Sequence, residues 1–232
     1  MTGKVDTPQK IAASRQMEPT PDDTLAAEVE LALNYFAPDI RNRLRTFFAF
    51  DRRLARIVGG ATEPMLARMR LQWWRDELDK KPEARPQGDA VLDALGRGWA
   101  GAEAALVALV NGWECLLDEP PLSREAAELF ARGRAAPFKV LAVEGLSQEV
   151  ERAAMTWALA DAAVHSTSQD DRQLLTALST ALPQVQKRLP RNVRGLAVLR
   201  ALANRSIASG NRPLLGGRGA ALTALRAGLL GR

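Results

Sequence analysis

Only a few side chains in this sequence are of the types that attack a substrate, transfer a proton or bind a metal. There is one histidine, His165, and one cysteine, Cys115, in 232 residues. A zinc cluster of Cys and His, or a Ser-His-Asp arrangement, would therefore have to use the single imidazole. A single cysteine also excludes a disulfide framework within the chain.

Two aspartates lie in patterns that predict an inward orientation. Asp51 shares a helical stripe with Leu44 and Phe48, and it is either a member of an ion pair with its neighbouring arginines or a metal ligand. Asp161 and His165 are one helical turn apart. Their spacing indicates either an inward Asp-His pair or a hydrogen-bonded pair within one helix, and we favour the second interpretation.

The elements that must position these residues are helices. From Asp22 onward the apolar residues recur at three- and four-residue spacing, and strand-like alternation never persists. We predict an all-α, single-domain bundle of about ten helices over residues 22–232, with Asp22 or Asp23 capping the first. Ser123 and Ser147 are predicted caps of later helices. Residues 1–21 are polar, contain three prolines and predict a disordered tail without a secretory signal.

The charge pattern favours some partners over others. The net charge is +5, and arginine supplies 26 of the 32 cations. No run of five like charges occurs, and aromatic residues do not alternate with the arginines, so nucleic acid is not the favoured partner. Anionic lipid headgroups or diphosphates fit the charge at least as well as nucleic acid does. No apolar run approaches the 18 residues of a membrane-spanning helix.

The last predicted helix, residues 219–230, is amphipathic and basic. It carries Leu222, Leu225, Leu229 and Leu230 next to Arg218 and Arg226. Such a helix either lies on a membrane surface or packs its leucines onto the helical body, and the second interpretation is favoured because most amphipathic helices pack in this way.

Two segments carry a resemblance to a known family. Residues 47–58 read FFAFDRRLARIV, and residues 70–75 read RLQWWR. In their order, spacing and Trp-Trp-Arg triplet they resemble the squalene and phytoene synthases. Residues 130–136, FARGRAA, resemble that family more loosely, and the resemblance covers about residues 24–165.

The resemblance implies an isoprenoid-synthase-like fold with a central cavity. In that family, Mg²⁺ ions held by two aspartate clusters on facing helices neutralise the diphosphate that leaves a prenyl chain. The positions that match the first cluster are Ala55, Arg56 and Gly59, and near the second cluster only Asp161 and His165 lie on the inward stripe. Both clusters are therefore predicted to be degraded.

A degraded pair of clusters predicts a non-catalytic relative that binds an isoprenoid or lipid, or that assists assembly of a respiratory complex. The second role is similar to that of a complex I assembly factor with this fold. The alternative is an active prenyltransferase whose altered metal site uses Asp51, Asp161 and His165. No cofactor is expected, apart from Mg²⁺ under the alternative. The expected partners are a lipid ligand, a membrane surface and a protein in complex assembly, and the expected location is cytoplasmic, peripheral to the inner face of a membrane.

Eight residues are the candidates for a cavity or ligand site. The alternative for some of them is a purely structural role. The tryptophans of the RLQWWR segment could pack in the core, and its arginines could form ion pairs with Asp76, Glu77 or Asp79. The candidates are Phe50, Asp51, Arg52, Arg70, Trp74, Arg75, Asp161 and His165.

Overall fold

The fold of the chain is given by a computed structural model that describes residues 24–118 and 120–231. These residues form ten α-helices and three short 3₁₀ turns, without a β-strand, which confirms the all-α prediction. The predicted tail over residues 1–21 and the predicted caps Asp22 and Asp23 lie outside the described residues. The helices are α1 (Ala27–Leu33), α2 (Pro38–Gly59), α3 (Pro64–Asp79), α4 (Ala90–Gly98), α5 (Glu103–Glu114), α6 (Arg124–Val140), α7 (Ser147–His165), α8 (Gln169–Ala181), α9 (Arg194–Ala208) and α10 (Ala220–Leu230).

Helix α7 lies at the centre and packs against α6, α8 and α9. An aromatic cluster joins it to α2 and α6. The ring of Phe138 contacts those of Phe47 and Trp157 edge to face, with centroids 5.1 and 6.0 Å apart. Phe48 contacts Trp157 in the same way at 5.7 Å. Edge-to-face packing of buried rings fixes the relative positions of three helices that contribute to the site described below.

Helices α5 and α6 approach each other through two glycines. A Cβ atom at Gly133 would lie 2.6 Å from the carbonyl oxygen of Ala108 and 2.9 Å from the Cα atom of Gly112. Only the absence of a side chain permits this approach. The residues that follow these glycines, Trp113 and Arg134, are thereby brought close together at the crossing.

The predicted serine caps have different outcomes. The hydroxyl of Ser123 accepts a hydrogen bond from the backbone N–H of Ala126, which confirms it as the cap of α6. The prediction for Ser147 is wrong, because Ser147 is the first residue of α7 and Leu146 occupies the cap position. A turn at Gly145, with φ of +76°, starts the helix at Ser147 rather than after it.

The buried face of α10 differs from the predicted one. It consists of Ala220, Ala224, Ala227 and Gly228, and the leucines of α10 face outward. The prediction that the leucines pack onto the body is wrong because α10 sits too close for large side chains: a Cβ atom at Gly228 would lie 2.2 Å from the ring of Tyr35. Among residues 24–118 and 120–231, no helix has the length and apolar character needed to cross a membrane.

Candidate functional site

A cavity of about 800 Å³ opens between α1, α2, α7 and α8, with further walls from α5 and α6. Much of its lining is apolar. The principal apolar residues of the lining are Leu25, Val29, Phe48, Trp113, Trp157 and Leu175. Small residues, Ala55 on α2 and Ala162 on α7, leave the space between these side chains open.

The buried end of the cavity is formed by an ion pair between α2 and α6. Asp51 and Arg134 are only 5% and 3% exposed. The guanidinium of Arg134 donates from Nη2 to Asp51 Oδ2 at 2.6 Å and from Nε to Asp51 Oδ1 at 3.1 Å. This two-point geometry is the strongest form of arginine-carboxylate contact. Trp113 Nε1 also donates to Asp51 Oδ1, at 2.7 Å.

The same guanidinium also contacts α7. Its Nη1 donates to Asp161 Oδ2 at 2.8 Å and to the carbonyl oxygen of Ala158 at 3.4 Å, while its carbon lies 4.0 Å from the ring centroid of Trp157. Arg134 therefore stands between the two carboxylates that the sequence placed on the inward faces of α2 and α7. We call Asp51, Arg134 and Asp161 the Asp-Arg-Asp cluster.

Burial and pairing act against each other in this cluster. Burial raises the pKa of the Asp51 carboxyl, and the positive charge of Arg134, together with the hydrogen bonds from Arg134 and Trp113, opposes that shift. Burial acts to lower the pKa of Arg134, but the attraction of Asp51 and Asp161 outweighs it and raises that pKa. The guanidinium therefore stays charged, and the cluster as a whole carries at most one net negative charge.

At the mouth of the cavity lie Glu28, Arg52 and His165. The His165 side chain is 71% exposed, and its Nδ1 lies 2.8 Å from the carbonyl oxygen of Asp161 and 3.5 Å from Asp161 Oδ1. The contact is thus within one helix, as the favoured interpretation predicts. Burial raises the pKa of the Glu28 carboxyl, with a smaller contribution of the same sign from Asp161.

The structure divides the eight predicted candidates into two groups. Asp51, Arg52, Asp161 and His165 line the cavity. The partner of Asp51 is Arg134 rather than the neighbouring arginines of α2 that the sequence pattern suggested.

The other four candidates lie outside the cavity lining. Phe50 and Trp74 are buried and pack together with ring centroids 4.7 Å apart. Arg75 pairs with Glu114 at 2.6 Å, on α5, and not with the acidic residues of its own helix. Arg70 is exposed on α3. The RLQWWR segment therefore contributes to packing and to the surface.

Arg134, Trp113 and Glu28 line the cavity but were not predicted from the sequence to be site residues. A signal for Arg134 was present. It lies between Phe130 and Phe138 at four-residue spacing, and both phenylalanines are fully buried. An arginine on an otherwise apolar helical stripe requires a buried anionic partner, and Asp51 was the inward carboxylate available.

Comparison with family models identifies the fold. The model of squalene/phytoene synthase matches residues 26–166, which is more than half of the chain. The chain belongs to the squalene/phytoene synthase family. The matched range ends where α7 ends, as the sequence resemblance predicted, and α8, α9 and α10 lie beyond it. Comparison with curated proteins and with solved structures gave no significant match.

The residues present do not fit the Mg²⁺ that this family implies. Both carboxylate oxygens of Asp51 and Oδ2 of Asp161 accept hydrogen bonds from Arg134, and Asp51 accepts a further one from Trp113. Over the described ranges, no group of three or more Asp, Glu, His or Cys side chains could hold a metal ion. A fixed guanidinium stands where a cation between the two helices would be needed.

Proposed function

We propose that this member of the squalene/phytoene synthase family binds an uncharged isoprenoid or lipid chain in its cavity and does not ionise a prenyl diphosphate. The observation that carries the proposal is the position of the Arg134 guanidinium, which bridges Asp51 and Asp161 across the buried end of the cavity. The two carboxylates that could have shared a metal are committed to an internal cation.

The charge of the lining supports an uncharged ligand. Five acidic side chains and three arginines line the cavity, and two of the five acids are held by one of those arginines. The lining therefore offers no excess of positive charge. A diphosphate carries several negative charges and would need metal ions or additional cations to enter a space of this kind.

The size and surface of the cavity support an apolar chain. A volume of about 800 Å³ lies within the range of roughly 300–1,000 Å³ that is typical of small-molecule sites. Trp113, Phe48 and Trp157 provide flat apolar walls beside the Asp-Arg-Asp cluster. Burial of an apolar chain against such walls is favourable in proportion to the area removed from water.

The alternative, an active prenyltransferase with an altered metal site, would need Asp51 and Asp161 to release Arg134 and bind Mg²⁺. No observation favours this rearrangement, because the guanidinium contacts Asp51, Asp161 and the carbonyl oxygen of Ala158 at the same time. A role in assembly of a respiratory complex, and a cytoplasmic location, stay predictions from the sequence resemblance.

Tryptophan fluorescence provides a direct test of ligand binding. Trp113 and Trp157 line the cavity, so farnesol should change the emission of the full chain in a saturable manner. The variant A55F places a large ring in the cavity and should weaken binding at least tenfold. The matched control A221F changes an exposed alanine of α10 and should bind like the unmodified chain.

The same fluorescence assay tests whether the cavity prefers an uncharged ligand to a diphosphate. Farnesyl diphosphate should bind more weakly than farnesol, whether or not Mg²⁺ is present, because the lining has no excess positive charge. Failure of farnesol and of longer prenyl alcohols to bind, or equal binding by A55F, would contradict the proposed ligand class. Tighter, Mg²⁺-dependent binding of the diphosphate would favour the enzymatic alternative instead.

A further inference from the structure

The charge of this chain is distributed very unevenly. After Asp171 there is no aspartate or glutamate in the remaining 61 residues, which contain ten arginines and one lysine. The 171 residues before that point carry 27 acidic residues and 21 cations, so their net charge is negative. We call residues 172–232 the acid-free segment. It includes α9, α10 and most of α8.

Within the acid-free segment, α10 exposes its large side chains and buries its small ones. Leu222, Leu225, Leu229 and Leu230 are 46–66% exposed, whereas the alanines of the opposite face are almost fully buried. We call these four leucines the Leu face. A helix that packs only against its own protein normally buries its largest apolar residues. The reversed arrangement leaves an apolar surface that has no partner within the described part of the chain.

Cations surround the Leu face. Arg226 is exposed on the same side of α10, between Leu222 and Leu229, and Arg218 is exposed just before the helix begins. The backbone N–H of Leu189 donates to the carbonyl oxygen of Gly231 at 2.9 Å, which ties the segment before α9 to the end of α10. Lys187 and Arg188 are the two residues before Leu189, and both are exposed, so this hydrogen bond holds their backbone near the C-terminal end of α10.

We propose that the Leu face and its surrounding cations bind the surface of a membrane that contains anionic lipids. In this arrangement α10 lies along the interface, with the leucines below the headgroups and the cations paired with lipid phosphates. Leucines flanked by arginine and lysine are the composition that interfacial helices use. Each cation close to an anionic surface adds to the attraction, and no acidic side chain of the acid-free segment opposes it.

A second exposed apolar surface in the described part of the chain lacks this charge pattern. On α3, Met65, Leu66 and Met69 are at least half exposed and Trp73 is 41% exposed. The residues from Glu63 to Asp79 include four acidic residues and three arginines. Electrostatic attraction to an anionic surface therefore distinguishes α10 from α3, which makes α3 a suitable control.

Vesicle flotation of the full chain tests the proposal. The unmodified protein should float with vesicles of phosphatidylcholine and phosphatidylglycerol, float less with phosphatidylcholine alone, and detach as salt is raised. The variant L222S/L229S should lower the bound fraction at least tenfold, and R218E/R226E should remove the preference for the anionic vesicles. The matched control M65S/M69S on α3 should float like the unmodified chain.

Several outcomes would overturn the proposal. They are failure of the unmodified protein to float with the anionic vesicles, flotation of L222S/L229S equal to that of the unmodified protein, and an equal loss in the α3 control. Light scattering can reveal a further contradicting outcome. If the unmodified protein is a dimer and L222S/L229S is a monomer, the Leu face binds a second copy of the chain and not a membrane. Unchanged melting temperatures should accompany the variants, since the substituted side chains are exposed. The α10 residues do not line the cavity, so this test and that of ligand binding are independent.

Discussion

Asp51 and Arg134 are 83 positions apart in the sequence, and they form a two-point ion pair with distances of 2.6 and 3.1 Å. Both side chains are almost completely buried. Breaking a buried ion pair by removing one partner is costly because the other charge is left without compensation. Loss of either partner should therefore be costly, and both carboxylate oxygens of Asp51 are occupied by the guanidinium at the buried end of the cavity.

Replacement of Arg134 should destabilise the fold strongly. In R134M two carboxylates would face each other in the interior without a cation, and we expect a loss of about 3–5 kcal/mol in the free energy of unfolding. Chemical denaturation at neutral pH measures this loss. The control R132M removes an exposed arginine from the same helix, where it pairs with Glu128 at the surface, and should cost less than about 1 kcal/mol.

The double variant D51N/R134M tests whether the loss in R134M comes from carboxylates left without a cation. Removing the Asp51 charge together with Arg134 should recover a substantial part of the loss, because one of the two unpaired anions is gone. Equal losses in R134M and R132M would show that the Asp-Arg-Asp cluster is not closed in solution.

A side chain at Gly133 should also be costly. In G133A the added methyl group would meet the backbone of Ala108 and Gly112, neither of which can turn away, so α5 and α6 must separate. We expect a loss of about 1–3 kcal/mol in the free energy of unfolding, measured by thermal and chemical denaturation. Separation of these helices would also displace Trp113 from Asp51.

The matched control for this helix crossing is Gly98, at the end of α4. A methyl group there would lie 3.9 Å from the nearest atom, in the side chain of Arg43. The variant G98A should therefore be neutral or more stable, by up to about 1 kcal/mol, because alanine restricts the unfolded chain. Similar behaviour of G133A and G98A would be inconsistent with the close approach of α5 and α6.

Glu28 provides a prediction of pH dependence. Burial raises the pKa of its carboxyl in the folded protein, so the folded state favours the protonated form more than the unfolded state does. Below the pKa that Glu28 has in the unfolded chain, the free energy of unfolding keeps the whole of this contribution. The contribution is lost as the pH rises through the higher pKa that Glu28 has in the folded protein. The variant E28Q should therefore be more stable than the unmodified chain at neutral pH, by less than about 1 kcal/mol because Glu28 is partly hydrated.

The gain in E28Q should disappear under acid conditions. At about pH 3 the carboxyl is protonated in both the folded and unfolded states, and the two chains should have equal free energies of unfolding. Denaturation curves at the two pH values provide the comparison. A destabilised E28Q at neutral pH would show that the ionised carboxylate makes a favourable contact in the cavity.

The sequence was sufficient for features that depend on local periodicity. Helical spacing predicted the all-α fold, the inward orientation of Asp51 and the cap at Ser123, and the FFAFDRRLARIV and RLQWWR segments indicated the family. The position of Arg134 depends on a long-range contact between α2 and α6. Its spacing with Phe130 and Phe138 shows that it is buried, but cannot by itself show which carboxylate it contacts.

The orientation of α10 and the role of the RLQWWR segment could not be obtained in this way. The amphipathic pattern of α10 indicates two faces but not which one is buried. That choice is made by the fit of Gly228 against Tyr35, which lies far away in the sequence. Trp74 and Arg75 belong to a motif of the family, yet Trp74 packs on Phe50 and Arg75 pairs with Glu114 because α3 packs against both α2 and α5.

We claim that the Asp-Arg-Asp cluster takes the place of the metal site of the family, and an assay of diphosphate release can decide this. The purified chain is incubated with farnesyl or geranylgeranyl diphosphate and Mg²⁺, and released diphosphate is measured over time against a reaction without protein. We predict no release above that background. Mg²⁺-dependent release by the unmodified chain that is abolished in D161N would contradict the claim.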